Sequence, residues 1–326
     1  MTRVSWLLPF RNAEAWLAGA VASMLADSTA NDELILVDDG SSDAGLDQIP
    51  ADPRIRLLRQ PPLGITAALE KGRIAAQGRW IARMDADDIS LPGRLEAQVR
   101  FLRNNPQVAV VGGRAELLPT PAPGDGMRLY VDWVNGLLDL HRELLVESPL
   151  FHPAVCMRAD ALQAVGGYRD GPFPEDYDLW LRLASAGHRL ANLAQTVIQI
   201  RDRESRLTRT DPRYSKAAFR TVRCEFLQAG PLRSAKRVVV WGGKKGARPW
   251  IQWLARTEHQ LVAVIDIVPG TERGGRPLLL PDALTSLDFD VLLVAVGRRG
   301  ARELIREDIQ RLRPDLREGV DWWALL

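Results

Sequence analysis

Within the first ninety residues, short apolar runs repeatedly end on polar or acidic residues, and helical periodicity separates them. Residues 4–8 close at Pro9, before a Phe10-Arg11-Asn12 turn. Residues 34–37 run into Asp38-Asp39-Gly40-Ser41-Ser42-Asp43. The run from Trp80 to Met84, broken only by Arg83, meets Asp85-Ala86-Asp87-Asp88. Between these runs, Trp16, Leu17, Ala20, Val21 and Leu25 recur at helical spacing over 14–25, a further short strand covers 55–58, and a helix is expected over 65–76, stopped by Gly78. Strands alternating with helices predict an α/β fold: a mainly parallel sheet with helices on both faces. Such sheets take ligands beyond the carboxyl ends of their strands, where residues 9–12, 38–43 and 85–88 all fall.

Three carboxylates within four positions repel one another unless something positive binds them. Hard divalent cations such as Mg²⁺ or Mn²⁺ take carboxylate oxygens and bridge phosphates, so a strand leading into Asp85, Asp87 and Asp88 suits a metal–diphosphate. A solvated acidic loop, with Asp88 or Ser90 capping the next helix, is the alternative at this stage.

Composition narrows the classes. At 326 residues the chain exceeds most single cores, so one large or two smaller domains are expected. A net charge of +2 argues against wholesale nucleic-acid binding. Cys156 and Cys224 supply no disulfide framework and, with four scattered histidines, no zinc-ligand spacing. No run approaches the ~18 apolar residues that a membrane span needs. The N-terminal apolar run is too short for a signal peptide and reads as a first strand. A cytoplasmic protein is expected, with peripheral attachment at the inner face of the membrane left open.

The ordered set Val37-Asp38-Asp39-Gly40-Ser41-Ser42-Asp43, Gly64 with Ala68 and Gly72, and Ala82-Arg83-Met84-Asp85-Ala86-Asp87-Asp88 resembles the family 2 glycosyltransferases of GT-A fold. Pro92, Arg94, Leu95, Gln98, Asn105-Pro106 and Val111-Gly112-Gly113 extend the likeness, which covers about the first 205 residues. The resemblance implies a nucleotide-sugar donor. Pro9, Asn12 and Glu14 match the first nucleotide loop, although Arg11 stands where many members have tyrosine. Asp39 matches the carboxylate that accepts from the base ring, typically uracil, with Asp38 assisting. Asp85 matches a position near ribose or metal, Asp87 the direct metal ligand, and Asp88 a supporting or capping position. Arg83 either faces phosphate or neutralises the carboxylates.

Further along, a helix is expected over 91–104 and a strand over 108–111, followed by a Pro/Gly-rich loop over 117–126. Helical spacing covers 130–147, and a strand covers 151–157 with His152 either at the cleft or packed structurally. Gly166-Gly167-Tyr168 marks a turn. Phe173-Pro174-Glu175-Asp176-Tyr177-Asp178 opens a helix with Leu179, Trp180 and Leu183 inward. Carboxylates in a first turn suit the helix dipole, and locally that is sufficient reason for them. The resemblance adds a catalytic role: Asp176 matches the family's general base, with Glu175 orienting the acceptor. Many relatives carry a histidine after a strand-terminal arginine; here Arg201-Asp202-Arg203-Glu204-Ser205 follows the strand at 196–200, so Arg201 or Arg203 is expected to clamp the diphosphate. Residues 201–223 hold eight Lys/Arg against three acids, either a solvated helix face or a seat for anionic lipid or a lipid-diphosphate acceptor.

After Ala235 the alternation restarts. A strand at 238–241, Gly242-Gly243-Lys244-Lys245-Gly246, a helix through Trp250 and Leu254, and a strand at 261–266 ending on Asp266 predict a small Rossmann-like domain, with a further strand at 291–296 and a helix over 301–312. Gly-Gly-x-x-Gly is short of the full dinucleotide fingerprint, which leaves nucleotide binding or a structural, homo-oligomerising role open.

The expected organisation is a GT-A nucleotide-diphospho-sugar transferase fold over 1–205, a basic helical connector over 206–234 and a Rossmann-like accessory domain over 235–326. The expected activity is metal-dependent, inverting transfer of a hexosyl group from a nucleotide sugar, UDP-linked, to a glycan or lipid-linked acceptor in surface polysaccharide assembly, with no organic cofactor. The rival is a non-catalytic nucleotide-sugar-binding or scaffold protein acting through its C-terminal domain.

Overall fold

The computed structural model describes residues 3–119 and 124–326. Contacts divide the chain into two compact units, one of Met1–Leu140 and Pro149–Val222, the other of His141–Ser148 and Arg223–Leu326. No helix among the described residues is long and apolar enough to cross a membrane.

The first unit opens with β1 (Val4–Phe10), α1 (Leu17–Ala26), β2 (Glu33–Asp38), β3 (Ile55–Arg59), α2 (Ile65–Ala75) and β4 (Trp80–Arg83). β5 (Ile89–Ser90), α3 (Arg94–Asn104), β6 (Val108–Leu117) and α4 (Asp125–Gly136) follow; after α5 (Leu140–Glu143), which from His141 on belongs to the second unit, the first unit resumes with β7 (Cys156–Arg158), α6 (Ala159–Ala164), α7 (Glu175–Ser185) and β8 (Arg189–Ile200). α8 (Leu207–Thr210) and α9 (Lys216–Ala229) lead into the second unit. The strands form one eight-stranded sheet in the order β3-β2-β1-β4-β7-β6-β8-β5. β3, β2, β1 and β4 are parallel, and every residue of β1 is buried, as a central strand covered on both faces requires. The far half is mixed: β7 runs antiparallel to β4 and β6, and β5 antiparallel to β8.

Several sequence expectations change here. Pro9 lies inside β1, opposite Val37, and does not close it. Pairing of β1 with β4 ends at Leu7, so the missing N–H falls where one neighbour has already left the ladder. The helical pattern over 130–147 breaks after Gly136 into α4 and the short α5. Residues 151–157 are not one strand: His152–Ala154 forms a 3-10 turn before β7, with Pro153 supplying its fixed φ. Of the loop expected over 117–126, residues 120–123 lie outside the described residues.

The second unit is built on β9 (Arg237–Trp241), α10 (Arg248–Leu254), β10 (Gln260–Ile265), β11 (Glu272–Arg273), β12 (Arg276–Leu279), β13 (Val291–Val294), α11 (Ala301–Leu312) and β14 (Trp322–Ala324). Its sheet, β11-β12-β10-β9-β13-β14, is parallel except for the β11–β12 hairpin. This is the expected Rossmann-like arrangement.

Candidate active site

The ends of β1, β2 and β4 lie side by side because these strands are parallel neighbours. The loops leaving them are tied together by side chains. Asn12, left-handed at φ 51°, donates its N–H to Ser41 Oγ (2.9 Å), and its Oδ1 accepts from Ser42 N–H (2.8 Å). Glu14 N–H donates to Asp43 Oδ2 (2.8 Å). Asp38 accepts from Ser41 N–H (2.8 Å), which sets the turn after β2. Asp39 accepts from Gln60 Nε2 (2.7 Å) and from the N–H groups of Leu63 and Gly64 (2.9 Å each). Gly64, at φ 95°, then starts α2. Asp39 thus holds the 60–64 loop, and its Oδ2 keeps room for a second donor.

Beyond β4, Asp85, Asp87 and Asp88 each offer an oxygen, all within 4.8 Å of one another. Asp88 is buried; its Oδ1 accepts from Arg201 N–H (2.9 Å), but its Oδ2 has no hydrogen-bond partner. Burial and the neighbouring carboxylates push both Asp87 and Asp88 above the usual carboxylate range. The unpartnered Asp88 Oδ2 and the hard oxygen donors gathered beside it fit a Mg²⁺- or Mn²⁺-sized cation. Asp87 and Asp88 are the ligands that would hold it, the latter through its orphaned oxygen.

Four arginines act on this cluster, Arg206 through its charge on Asp87 and Asp88. Arg83, only 4% exposed, is ion-paired with Asp85, and its Nε has no hydrogen-bond partner. Arg203 Nε donates to Asp87 Oδ2 (2.7 Å) while its guanidinium lies 4.3 Å from the centre of the Trp16 ring. Arg201 reaches only the backbone of Asp87, donating from Nε to its carbonyl (3.1 Å).

The second carboxylate group stands at the start of α7. Glu175 is buried and half-buried Asp176 follows it. Burial and the adjacent Glu175 push Asp176 up to about 7. The field of Arg83 acts on Asp85, Glu175 and Asp176 alike, so one buried cation serves both acidic groups. Asp178, one turn further, is locked structurally by Arg169 (2.6 Å) and Arg182 (2.8 Å). Of two carboxylate clusters sharing a buried guanidinium, one can hold a polyanion through a divalent cation and the other can accept a proton.

The family description "Glycosyl transferase family 2" matches residues 5–128. Among curated relatives, the putative glycosyltransferase EpsE of Bacillus subtilis (strain 168) is 32% identical over 234 residues, 65% of this chain and 78% of EpsE. The chain belongs to glycosyl transferase family 2. The amylovoran biosynthesis glycosyltransferase AmsE of Erwinia amylovora is 31% identical over 175 residues, 52% of this chain; the chain spans 64% of the length of AmsE, less than two thirds. Among solved structures, S. aureus TarS 1-349 in complex with UDP-GlcNAc superposes with a TM-score of 0.53 at 15% identity, covering 78% of this chain and 80% of that one. At that identity the likeness shows the GT-A fold alone.

Among the candidate site residues, Asn12, Glu14, Asp38, Asp39 and Gly64 share the tied loops, and Asp85, Asp87 and Arg201 gather around Arg83 at the end of β4. Pro9 sits inside β1. Asp88 does not cap α3; that cap comes from Asp27, whose carboxylate accepts from Gly93 N–H (2.7 Å) and Leu95 N–H (2.8 Å). His152 is buried, bonded through Nε2 to Tyr168 Oη (2.9 Å) and packed edge-on against Trp180. Burial and Arg83 depress its pKa well below the ordinary imidazole value, which keeps it neutral. Sequence reasoning missed the stacking of Arg203 on Trp16 and the contact of Tyr214 with Glu175, since no local pattern links residues so far apart. In the second unit, Asp266 Oδ2 accepts from Gly243 N–H (2.6 Å) and Oδ1 from Val268 N–H (3.0 Å), so the acid at the end of β10 ties down the glycine turn.

Proposed function

We propose that this family-2 chain is an inverting hexosyltransferase that moves a sugar from a nucleoside diphosphate donor, UDP-linked, to a hydroxyl of a glycan or lipid-linked glycan during surface polysaccharide assembly. The observation that carries the reading is the buried Arg83, ion-paired with Asp85 and near enough to Glu175 and Asp176 for its charge to act on both. It supports a division of labour in which one acidic group handles the diphosphate end and the other the acceptor. The UDP-GlcNAc bound to TarS supports a UDP-linked donor, and the amylovoran pathway named for AmsE supports a biosynthetic setting.

In this reading the tied loops around Asn12, Glu14, Asp38, Asp39 and Gly64 hold base and ribose. A divalent cation at Asp87, when bound, supplies charge that offsets the diphosphate. Ionised Asp176 accepts the proton of the acceptor hydroxyl as that oxygen bonds to the anomeric carbon. The bond from this carbon to the diphosphate breaks on the opposite face, its electron pair leaves with the nucleoside diphosphate, and the configuration inverts. Arg83, with Arg203 released from Asp87 and Arg201 beside it, offsets the charge gathering on the leaving group.

A thermal-shift panel of UDP-, GDP- and dTDP-sugars, each with and without Mn²⁺, tests this reading. A ligand that binds only the native state raises its melting temperature. The expected result is a metal-dependent rise with a UDP-sugar, lost in Asp87→Ala, and a product of inverted anomeric configuration by NMR. No shift with any sugar nucleotide, but one with a dinucleotide, would move the function to the C-terminal unit.

A further inference from the structure

The stretch that follows the second carboxylate group in sequence reaches back to it. Asp211 caps a 3-10 turn (Pro212–Tyr214): its Oδ1 accepts from Arg213 N–H (2.9 Å), and its Oδ2 accepts from the Arg213 guanidinium (2.7 Å). Arg213 Nη1 donates to Thr66 Oγ1 on α2 (3.2 Å), which fixes the turn against the body of the first unit. From there the Tyr214 hydroxyl donates to Glu175 Oε2 (2.8 Å). Five residues on, the Phe219 ring of α9 packs on Tyr177, centroids 5.0 Å apart and tilted by 40°. The residues on either side of Asp176 are thus held by the same returning segment, one by a hydrogen bond and the other by a ring contact.

We propose that Tyr214 is a positioning residue for the base: together with Phe219 it fixes the first turn of α7, and so the direction in which Asp176 meets an acceptor hydroxyl. The proposal rests on the reading of Asp176 as the base. Glu175 faces Tyr214 and Arg213 from the returning segment and Arg83 from β4. Asp176 faces Glu175 and Arg83, with Tyr168 close to both acids. The Tyr214 hydroxyl stabilises Glu175 as a carboxylate, and that negative charge opposes ionisation of Asp176. Without the hydroxyl, a proton held between the two acids settles on Glu175, and Asp176 ionises at lower pH.

Infrared difference titration of the carboxyl stretch between pH 4 and 9 reads this pair whether or not sugar is transferred. The band that Asp176→Asn removes identifies the base. In Tyr214→Phe that band is expected to titrate lower by on the order of one pH unit. In a transfer assay kcat is expected to fall about tenfold with the donor KM unchanged, the loss of a hydrogen bond to a charged group. A band titrating as in the wild type overturns the proposal, whatever happens to the rate. Should Tyr214→Phe fail to fold, Glu175→Gln removes the same charge while keeping a partner for the hydroxyl. It must show the same downward shift, and an unmoved band there also overturns the proposal. Failure of the transferase reading looks different: wild-type protein transfers no sugar from any donor, yet the band still moves in Tyr214→Phe, which supports the coupling of position 214 to Asp176.

Discussion

Asp176 occupies the first turn of α7 beside a second carboxylate, and in its proposed role of base a pKa pushed up to about 7 by burial and Glu175 would set how activity depends on pH. A base acts only when deprotonated. With a folded-state pKa of about 7, kcat/KM is expected to rise roughly tenfold per pH unit below that value and level off above it. Asp176→Asn is expected to lower turnover by at least about 10²-fold, while the donor-induced rise in melting temperature is retained. A pH–rate profile flat between 5.5 and 8, or full turnover in the asparagine variant, would remove Asp176 from the role of base. Both acidic motifs were legible in the sequence because each is a short run of residues at the end of a strand or the start of a helix. Arg83 was legible only as an alternative: the groups around it, His152, Tyr168, Glu175 and Asp176, lie far along the sequence and are brought to it by the tertiary fold.

At the scale of elements, α3 braces the strands that carry the site. Its Arg94, fully buried over the Trp6 ring, donates from Nη2 to the Arg83 carbonyl (2.8 Å), and Gln98 Nε2 donates to the Ala154 carbonyl (2.7 Å). Burial pushes Arg94 down to about 10, still charged at neutral pH. The helix has no capping side chain of its own, and Asp27, at the end of α1, satisfies its first N–H groups. Asp27→Ala is therefore expected to cost about 1 kcal/mol, up to about 2, in urea denaturation. A variant within about 0.3 kcal/mol of wild type would show that water replaces the cap. The helix itself was legible from Leu95, Val99 and Leu102, whereas its cap, 67 residues upstream, carries no local signal. Gly78 was legible as a helix stop, but its reason is tertiary: a Cβ there would lie 2.6 Å from Ser5 N. The continuous helix expected over 130–147 failed because periodicity reports an apolar face, not an unbroken backbone. Residues 144–146 remain buried after the break.

At the scale of the whole chain, those residues belong to the second unit, although the chain on both sides of His141–Ser148 belongs to the first. The division at 205 and 234, drawn from the extent of the family resemblance and the renewed strand–helix alternation, gives no hint of this excursion, because its apolar residues read as more of the preceding helix. Charge fastens the segment. Glu143 is ion-paired with Arg302 and accepts from Arg306 Nη2 (2.7 Å); the same Arg306 nitrogen donates to Glu318 (2.8 Å), and Arg142 also donates to Glu318 (2.6 Å). Arg306 has a side chain only 7% exposed, against 10% for Glu143, so removing one partner leaves charge with little water to replace it. Breaking such a buried pair costs about 3 kcal/mol. An exposed pair such as Arg311–Asp308 contributes little, because water screens both charges. Glu143→Ala is accordingly expected to lower stability by several times more than Arg311→Ala when both are unfolded in urea. Equal losses would mean that Glu318 and Glu303 satisfy Arg306 unaided, and that the apolar residues 144–146 alone hold the segment in the second unit.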